Sequence, residues 1–182
     1  VTIFVFGGSL GSRNINLSAI GILPYLEGLR KDIQFIHICG KHDLKTIAQR
    51  YESGGFKARV YDYLDKIEYA YSVADVVIAR AGATTVSEIT ALGIPAILIP
   101  YPEATAQHQM LNAVPLCKIG GAICCTENIL SGEGLALRII PLIKDRNKRR
   151  EMSISTTSLR DNFREAAERF ADLVFRYIHK NV

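Results

Sequence analysis

Six short apolar runs recur along the chain, at Thr2–Phe6, Gln34–Cys39, Ala58–Tyr61, Asp75–Ala79, Ala96–Ile99 and Ile123–Cys125. Segments with helical periodicity fill the gaps: Asn14–Leu29, Leu44–Ser53, Ile67–Val73, Thr85–Leu92, Ala106–Cys117 and Gly134–Ile143, then Asn147–Leu159 and Asn162–His179. Apolar runs alternating with helical segments predict parallel strands joined by crossover helices. The runs Asp75-Val76-Val77-Ile78-Ala79 and Ala96-Ile97-Leu98-Ile99 lack polar alternation, as strands covered by helices on both faces do. The expected fold is α/β, a doubly wound parallel sheet with helices on both faces, over residues 1–161. A C-terminal amphipathic helix is expected in 162–182, with Phe163, Ala166, Ala167, Phe170, Leu173, Val174, Tyr177 and Ile178 on one stripe. That stripe suits docking on this domain's core or on a further domain.

Composition changes this picture little. With 182 residues, 48% hydrophobic and 22% charged, the chain reads as one soluble globular domain, which excludes disordered, collagenous and coiled-coil classes. Neither an apolar run of about 18 residues nor a basic-then-apolar leader is present, so no membrane span or signal peptide is expected and the protein is placed inside the cell. The chain opens at Val1 directly in a buried-strand pattern, which suggests a piece of a longer protein. Cys39, Cys117, Cys124 and Cys125 have no metal-ligand or CxxC spacing and are expected to be reduced.

Charge is uneven. Residues 1–137 hold 11 Lys and Arg against 12 Asp and Glu, and residues 138–182 hold 11 against 6, so the net +4 sits in the tail. Its densest point, Arg146-Asn147-Lys148-Arg149-Arg150, has no interleaved aromatics and argues against nucleic acid. A solvated helix face or contact with anionic headgroups or a partner remain as readings.

Three strand-to-helix loops carry candidate chemistry. Gly7-Gly8-Ser9-Leu10-Gly11-Ser12 has glycines that let a phosphate approach the backbone, with Ser9 as an added donor. It lacks the lysine of a P-loop, and Ile38-Cys39-Gly40-Lys41 offers no carboxylate for an adenosine ribose, which disfavours NAD. In Arg80-Ala81-Gly82-Ala83-Thr84-Thr85-Val86-Ser87-Glu88, two readings compete. Either Thr85 and Glu88 form a capping box, or the small residues admit a diphosphate while Glu88 accepts from two ribose hydroxyls. The third, Pro100 to Gln109, places His108 and Gln109 at a helix start ahead of Asn112-Ala113, a mixture of donors and acceptors that suits sugar hydroxyls.

Taken in order with Tyr63-Leu64-Asp65 and Gly93-Ile94-Pro95, and with Asn16, these loops resemble the C-terminal, donor-binding domain of the MurG glycosyltransferases of family 28. The match spans residues 2–122. The family transfers N-acetylglucosamine (GlcNAc) from UDP-GlcNAc to a lipid-linked N-acetylmuramic acid (MurNAc) peptide in peptidoglycan synthesis. The resemblance implies one Rossmann-like half of a GT-B fold and an inverting transferase. Gly8, Ser9 and Gly11 would contact the donor's phosphates, and Tyr63 and Leu64 would frame the uracil. Gly82, Ala83, Thr84 and Thr85 would bind the α-phosphate region and the sugar. Glu88 would hold the ribose, and His108 and Gln109 would read the GlcNAc hydroxyls. Some family members have Gln-Gln at the last pair.

The same resemblance implies no cofactor, no metal, and no catalytic residue in this piece, since the base and the lipid I (undecaprenyl-diphospho-MurNAc-pentapeptide) site belong to an N-terminal domain. It further implies a peripheral position on the cytoplasmic face of the bacterial membrane and an inactive fragment. A stand-alone UDP-sugar-binding subunit and a UDP-GlcNAc 2-epimerase half are the alternatives.

Overall fold

The computed structural model describes residues 1–8, 11–104, 107–160, 169, 175 and 176. Six parallel strands form one sheet: β1 (Thr2–Phe6), β2 (Gln34–Ile38), β3 (Lys57–Tyr61), β4 (Val76–Ala79), β5 (Ala96–Leu98) and β6 (Ala122–Cys124). Their spatial order is β3-β2-β1-β4-β5-β6, with Phe6 opposite Ile38 on one side and Ala79 on the other. The chain therefore winds outward from β1 in one direction and resumes from β4 in the other, the doubly wound arrangement expected.

Because successive strand residues face opposite sides, an unbroken apolar strand feeds two cores. Ile3, Val5, Val76, Ile78 and Ile97 pack with α1 (Arg13–Gly21), α2 (Leu44–Ser53) and α6 (Gly132–Lys144). Phe4, Phe6, Val77, Ala79 and Leu98 pack with α3 (Ile67–Val73), α4 (Ala83–Leu92) and α5 (His108–Lys118). A further helix, α7 (Arg146–Ser158), adds Met152 to the first core, and its Thr156 hydroxyl donates to the Gly121 carbonyl at 2.9 Å.

Where the expected helix Asn14–Leu29 should run unbroken, α1 stops at Gly21 and Leu23–Leu29 continues as a 3₁₀ segment. Pro24 has no N–H for an α-helical bond, and its ring clashes with the carbonyl one turn back. A further 3₁₀ turn, Glu127–Ile129, was not expected. The helices α4 and α6 begin two residues earlier than the periodicity indicates, because Gly82 and Ser131 serve as their N-caps. The cysteines are free, Cys39 and Cys125 buried and Cys117 and Cys124 half-buried. Among the described residues no helix is long and apolar enough to cross a membrane. The 162–182 helix falls, but for 169, 175 and 176, outside the described residues.

A buried polar cluster fixes the first crossover. Fully buried Asn16 donates to the Cys39 carbonyl and to Asp43, each at 2.8 Å, while its Oδ1 meets His37 Nε2 at 3.0 Å. His37 Nδ1 lies 3.1 Å from the Tyr51 hydroxyl. Burial pushes the His37 pKa down to about 3, so the ring stays neutral and can share these protons. Asn16 thus anchors the loop after β2 to α1 from beneath the crest.

Candidate functional site

In an open parallel sheet, ligands bind beyond the carboxyl ends of the strands where the strand order reverses. Here that point lies between β1 and β4, so the crevice is flanked by the Gly7–Ser12 and Arg80–Gly82 loops. Gly11 has φ 77°, and a Cβ there would lie 2.4 Å from the Cys39 carbonyl oxygen, so the loop rests on the end of β2 as only glycine allows. The Gly11 N–H donates to the Gly8 carbonyl at 3.1 Å, closing the turn. Ser9 lies outside the described residues.

Both helix starts at this crevice lack a side-chain cap. Ser12, the N-cap of α1, makes no bond to its helix amides; instead its Oγ accepts from Arg80 Nη2 at 2.9 Å. Gly82, the N-cap of α4, has no side chain to give. First-turn amides that no side chain satisfies are donors for an anion, reinforced by the positive ends of both helices. Ala83 and Thr84 are exposed and Thr85 is half-buried on that first turn.

The helix start at Ala83 removes the capping-box reading of Glu88. With Gly82 as N-cap, Thr85 is the third residue and Glu88 the sixth, too far along for a capping box. Glu88 Oε2 instead accepts from the Tyr71 hydroxyl at 2.8 Å, across from α4 to α3. Burial, and then the adjoining Glu88 carboxylate, push the Tyr71 pKa far up, so its phenol remains a donor. Glu88 Oε1 has no partner among the described residues.

At α5, Gln107 is the one non-glycine residue among those described with a left-handed backbone, φ 54°. Such a residue costs about 1–3 kcal/mol and persists where neighbours hold it. It sets the start of α5 so that His108 is exposed, while Gln109 Oε1 accepts from the Tyr101 amide at 3.0 Å and keeps its amide nitrogen for other contacts. Asn112 Nδ2 donates to the Ala81 carbonyl at 3.1 Å, tying α5 to the β4–α4 loop. Tyr63 stands 60% exposed after β3, and Leu64 is partly buried against the second core. Among the described residues no hydrogen bond joins Tyr63 to the other loops, so the structure gathers the β1, β4 and β5 loops tightly and leaves the β3 loop at the margin.

The matching family model is the glycosyltransferase family 28 C-terminal domain, over residues 2–172. The chain belongs to this family. A similar sequence is the UDP-N-acetylglucosamine–N-acetylmuramyl-(pentapeptide) pyrophosphoryl-undecaprenol N-acetylglucosamine transferase of Geobacter metallireducens, 44% identical over 79% of this chain and 39% of that protein. A similar solved structure is Acinetobacter baumannii MurG, with TM-score 0.78 and 30% identity over 87% of this chain and 47% of that one. The chain spans about two fifths of the length of the curated relatives it matches. A UDP-N-acetylglucosamine 2-epimerase, at 12% identity and TM-score 0.57 over 84% of this chain and 37% of that one, shares the fold alone.

Sequence reasoning gave Arg80 no role, yet in this family 28 domain it is the junction of the site. Its guanidinium, at the end of β4, bonds Ser12 Oγ, the carbonyls of Ile99 (3.3 Å) and Pro100 (3.4 Å), and the Glu127 carboxylate, and lies 5.1 Å from the Tyr101 ring centre. Glu127 sits on the unforeseen 3₁₀ turn and also accepts from Asn14 Nδ2 at 3.3 Å. Four loops of the crest converge on this one pair. A lone arginine at the end of an apolar strand was the available signal, since a buried guanidinium needs a carboxylate. Its partner, 47 residues away, left no local pattern. Among the described residues no three His, Cys, Asp or Glu side chains cluster as a metal site would.

Proposed function

We propose that this chain is the donor-binding half of an inverting glycosyltransferase that moves GlcNAc from UDP-GlcNAc to the C4 hydroxyl of MurNAc in lipid I. The observation that supports it most is the pairing of two uncapped helix starts at the strand-order reversal with a carboxylate, Glu88, whose second oxygen is unengaged among the described residues. The substrates are those in the name of the Geobacter relative. The diphosphate would lie between Gly8–Gly11 and Gly82–Thr85, Glu88 would take the ribose hydroxyls, Tyr63 and Leu64 would hold the uracil, and His108 and Gln109 would meet the sugar.

In this scheme the acceptor hydroxyl displaces UDP at the anomeric carbon, and charge grows on the departing diphosphate. Backbone N–H groups of α1 and α4, already aligned and held by Arg80, stabilise that charge without reorganising at the moment of reaction. Acceptor activation and membrane contact on the cytoplasmic face are assigned to an N-terminal domain that would lie outside this chain. A labelled-GlcNAc transfer assay tests the division of labour. The chain alone should give no lipid II, and the chain joined to the N-terminal half of a relative should give it; appreciable transfer by the chain alone would overturn the assignment.

A further inference from the structure

At the amino ends of β4 and β5, the opposite end of the strands from the donor crevice, an open cleft of about 500 Å³ lies between the end of α3, the Gly93–Pro95 turn and the first turns of α7. Arg146, Arg149 and Arg150 line it, with Asp75 as the facing carboxylate. Three guanidinium groups thus meet one acid, whose Oδ2 already accepts from the Thr2 amide at 2.7 Å. Arg146 and Arg150 are exposed and have no carboxylate partner among the described residues. They stand four apart on one helix, where like charges repel, and at the helix end whose own dipole disfavours cations.

Arg149 is built in differently. Its Nη1 donates to the Leu142 and Ile143 carbonyls at 2.6 and 3.0 Å, which fixes the guanidinium at the cleft and leaves its other N–H groups for a ligand. The helix amides are not the donors here, because Asp145 Oδ1 already accepts from Asn147 and Lys148 at 2.8 and 3.1 Å. Ser153 completes the polar side, and Leu92, 55% exposed, forms an apolar wall beside it. An arrangement of cations that repel one another and oppose the helix dipole is relieved by a multiply charged anion, and arginine forks match phosphate oxygens.

We propose that this cleft is a second binding site, separate from the donor crevice, for a phosphate-bearing ligand whose organic part lies against Leu92. The chemistry common to a phosphorylated small molecule and a phospholipid headgroup is the phosphate, so two probes separate the sources. Calorimetric titration with inorganic pyrophosphate, in the presence of saturating UDP, should show one binding event. The Arg146→Gln/Arg150→Gln double variant should weaken it at least tenfold. Sedimentation with phosphatidylglycerol-containing vesicles then assigns the source: co-sedimentation lost in the double variant means a headgroup, and pyrophosphate binding without co-sedimentation means a soluble phosphate. Thermal unfolding of the double variant checks that it is folded. Absence of pyrophosphate and vesicle binding, binding equal in the double variant, or displacement of pyrophosphate by UDP would overturn the proposal.

Discussion

Replacing Arg80 by alanine removes, at one stroke, bonds to Ser12, Ile99 and Pro100, the ring contact with Tyr101 and the counter-charge of Glu127. The Arg80 and Glu127 side chains are 10% and 19% exposed, so the carboxylate left behind is only partly rehydrated. Stranding a fully buried charge costs about 3–5 kcal/mol; with this residual exposure about 2–3 kcal/mol is expected. With a urea slope of about 2–3 kcal/mol/M, that is a midpoint lower by about 1 M. Arg80→Lys keeps the charge but not the fork, and should fall between the two. Crossed with Glu127→Gln, Arg80→Ala should show a coupling of about 1–2 kcal/mol, because each partner's loss removes the other's penalty. Urea unfolding of the four proteins measures this. Additive effects with Arg80→Ala costing under about 0.5 kcal/mol would refute the view that this pair holds the crest together.

The Gly11→Ala variant, whose Cβ would meet the Cys39 carbonyl at 2.4 Å on a left-handed backbone, should lose about 2 kcal/mol or more and weaken diphosphate binding; thermal unfolding and UDP titration read both. Tyr71→Phe should cost about 0.5–1.5 kcal/mol and weaken UDP binding several-fold by releasing Glu88, whereas unchanged affinity would mean Glu88 needs no anchor. His37, with its pKa lowered from 6.5 to about 3, binds its proton more readily when unfolded. Its contribution is therefore full above pH 6.5 and declines as pH falls toward 3, by up to about 1.4 kcal/mol per unit. His37→Gln should flatten the stability profile between about pH 5 and 6.5, and an unchanged slope would show that His37 is not held neutral.

Strand positions were legible because Val76–Ala79 and Ala96–Leu98 are apolar on both faces, a pattern that few helices of that length share. Helix boundaries were less so. The start of α4 depends on Gly82 adopting an extended backbone, which no periodicity reports, and the move of the N-cap from Thr85 to Gly82 is what removes the capping box and leaves Glu88 to bond Tyr71. The loops of the crest were visible as glycine-rich and polar segments after apolar runs. Their supports were not: Arg80 with Glu127, Glu88 with Tyr71 and Asn112 with Ala81 are long-range contacts, and the partners Glu127, Tyr71 and Ala81 carry no local pattern that points to them.

Binding of a uridine diphosphate sugar at the crest between β1 and β4 through Glu88 is measured by calorimetric titration of this chain with UDP-GlcNAc and with NAD, repeated on Glu88→Ala. UDP-GlcNAc should bind and NAD should not, and the variant should bind UDP-GlcNAc more weakly by about 1–3 kcal/mol, as loss of a charged hydrogen-bond partner requires. Equal affinity for NAD, or UDP-GlcNAc binding untouched by the loss of Glu88, would contradict it.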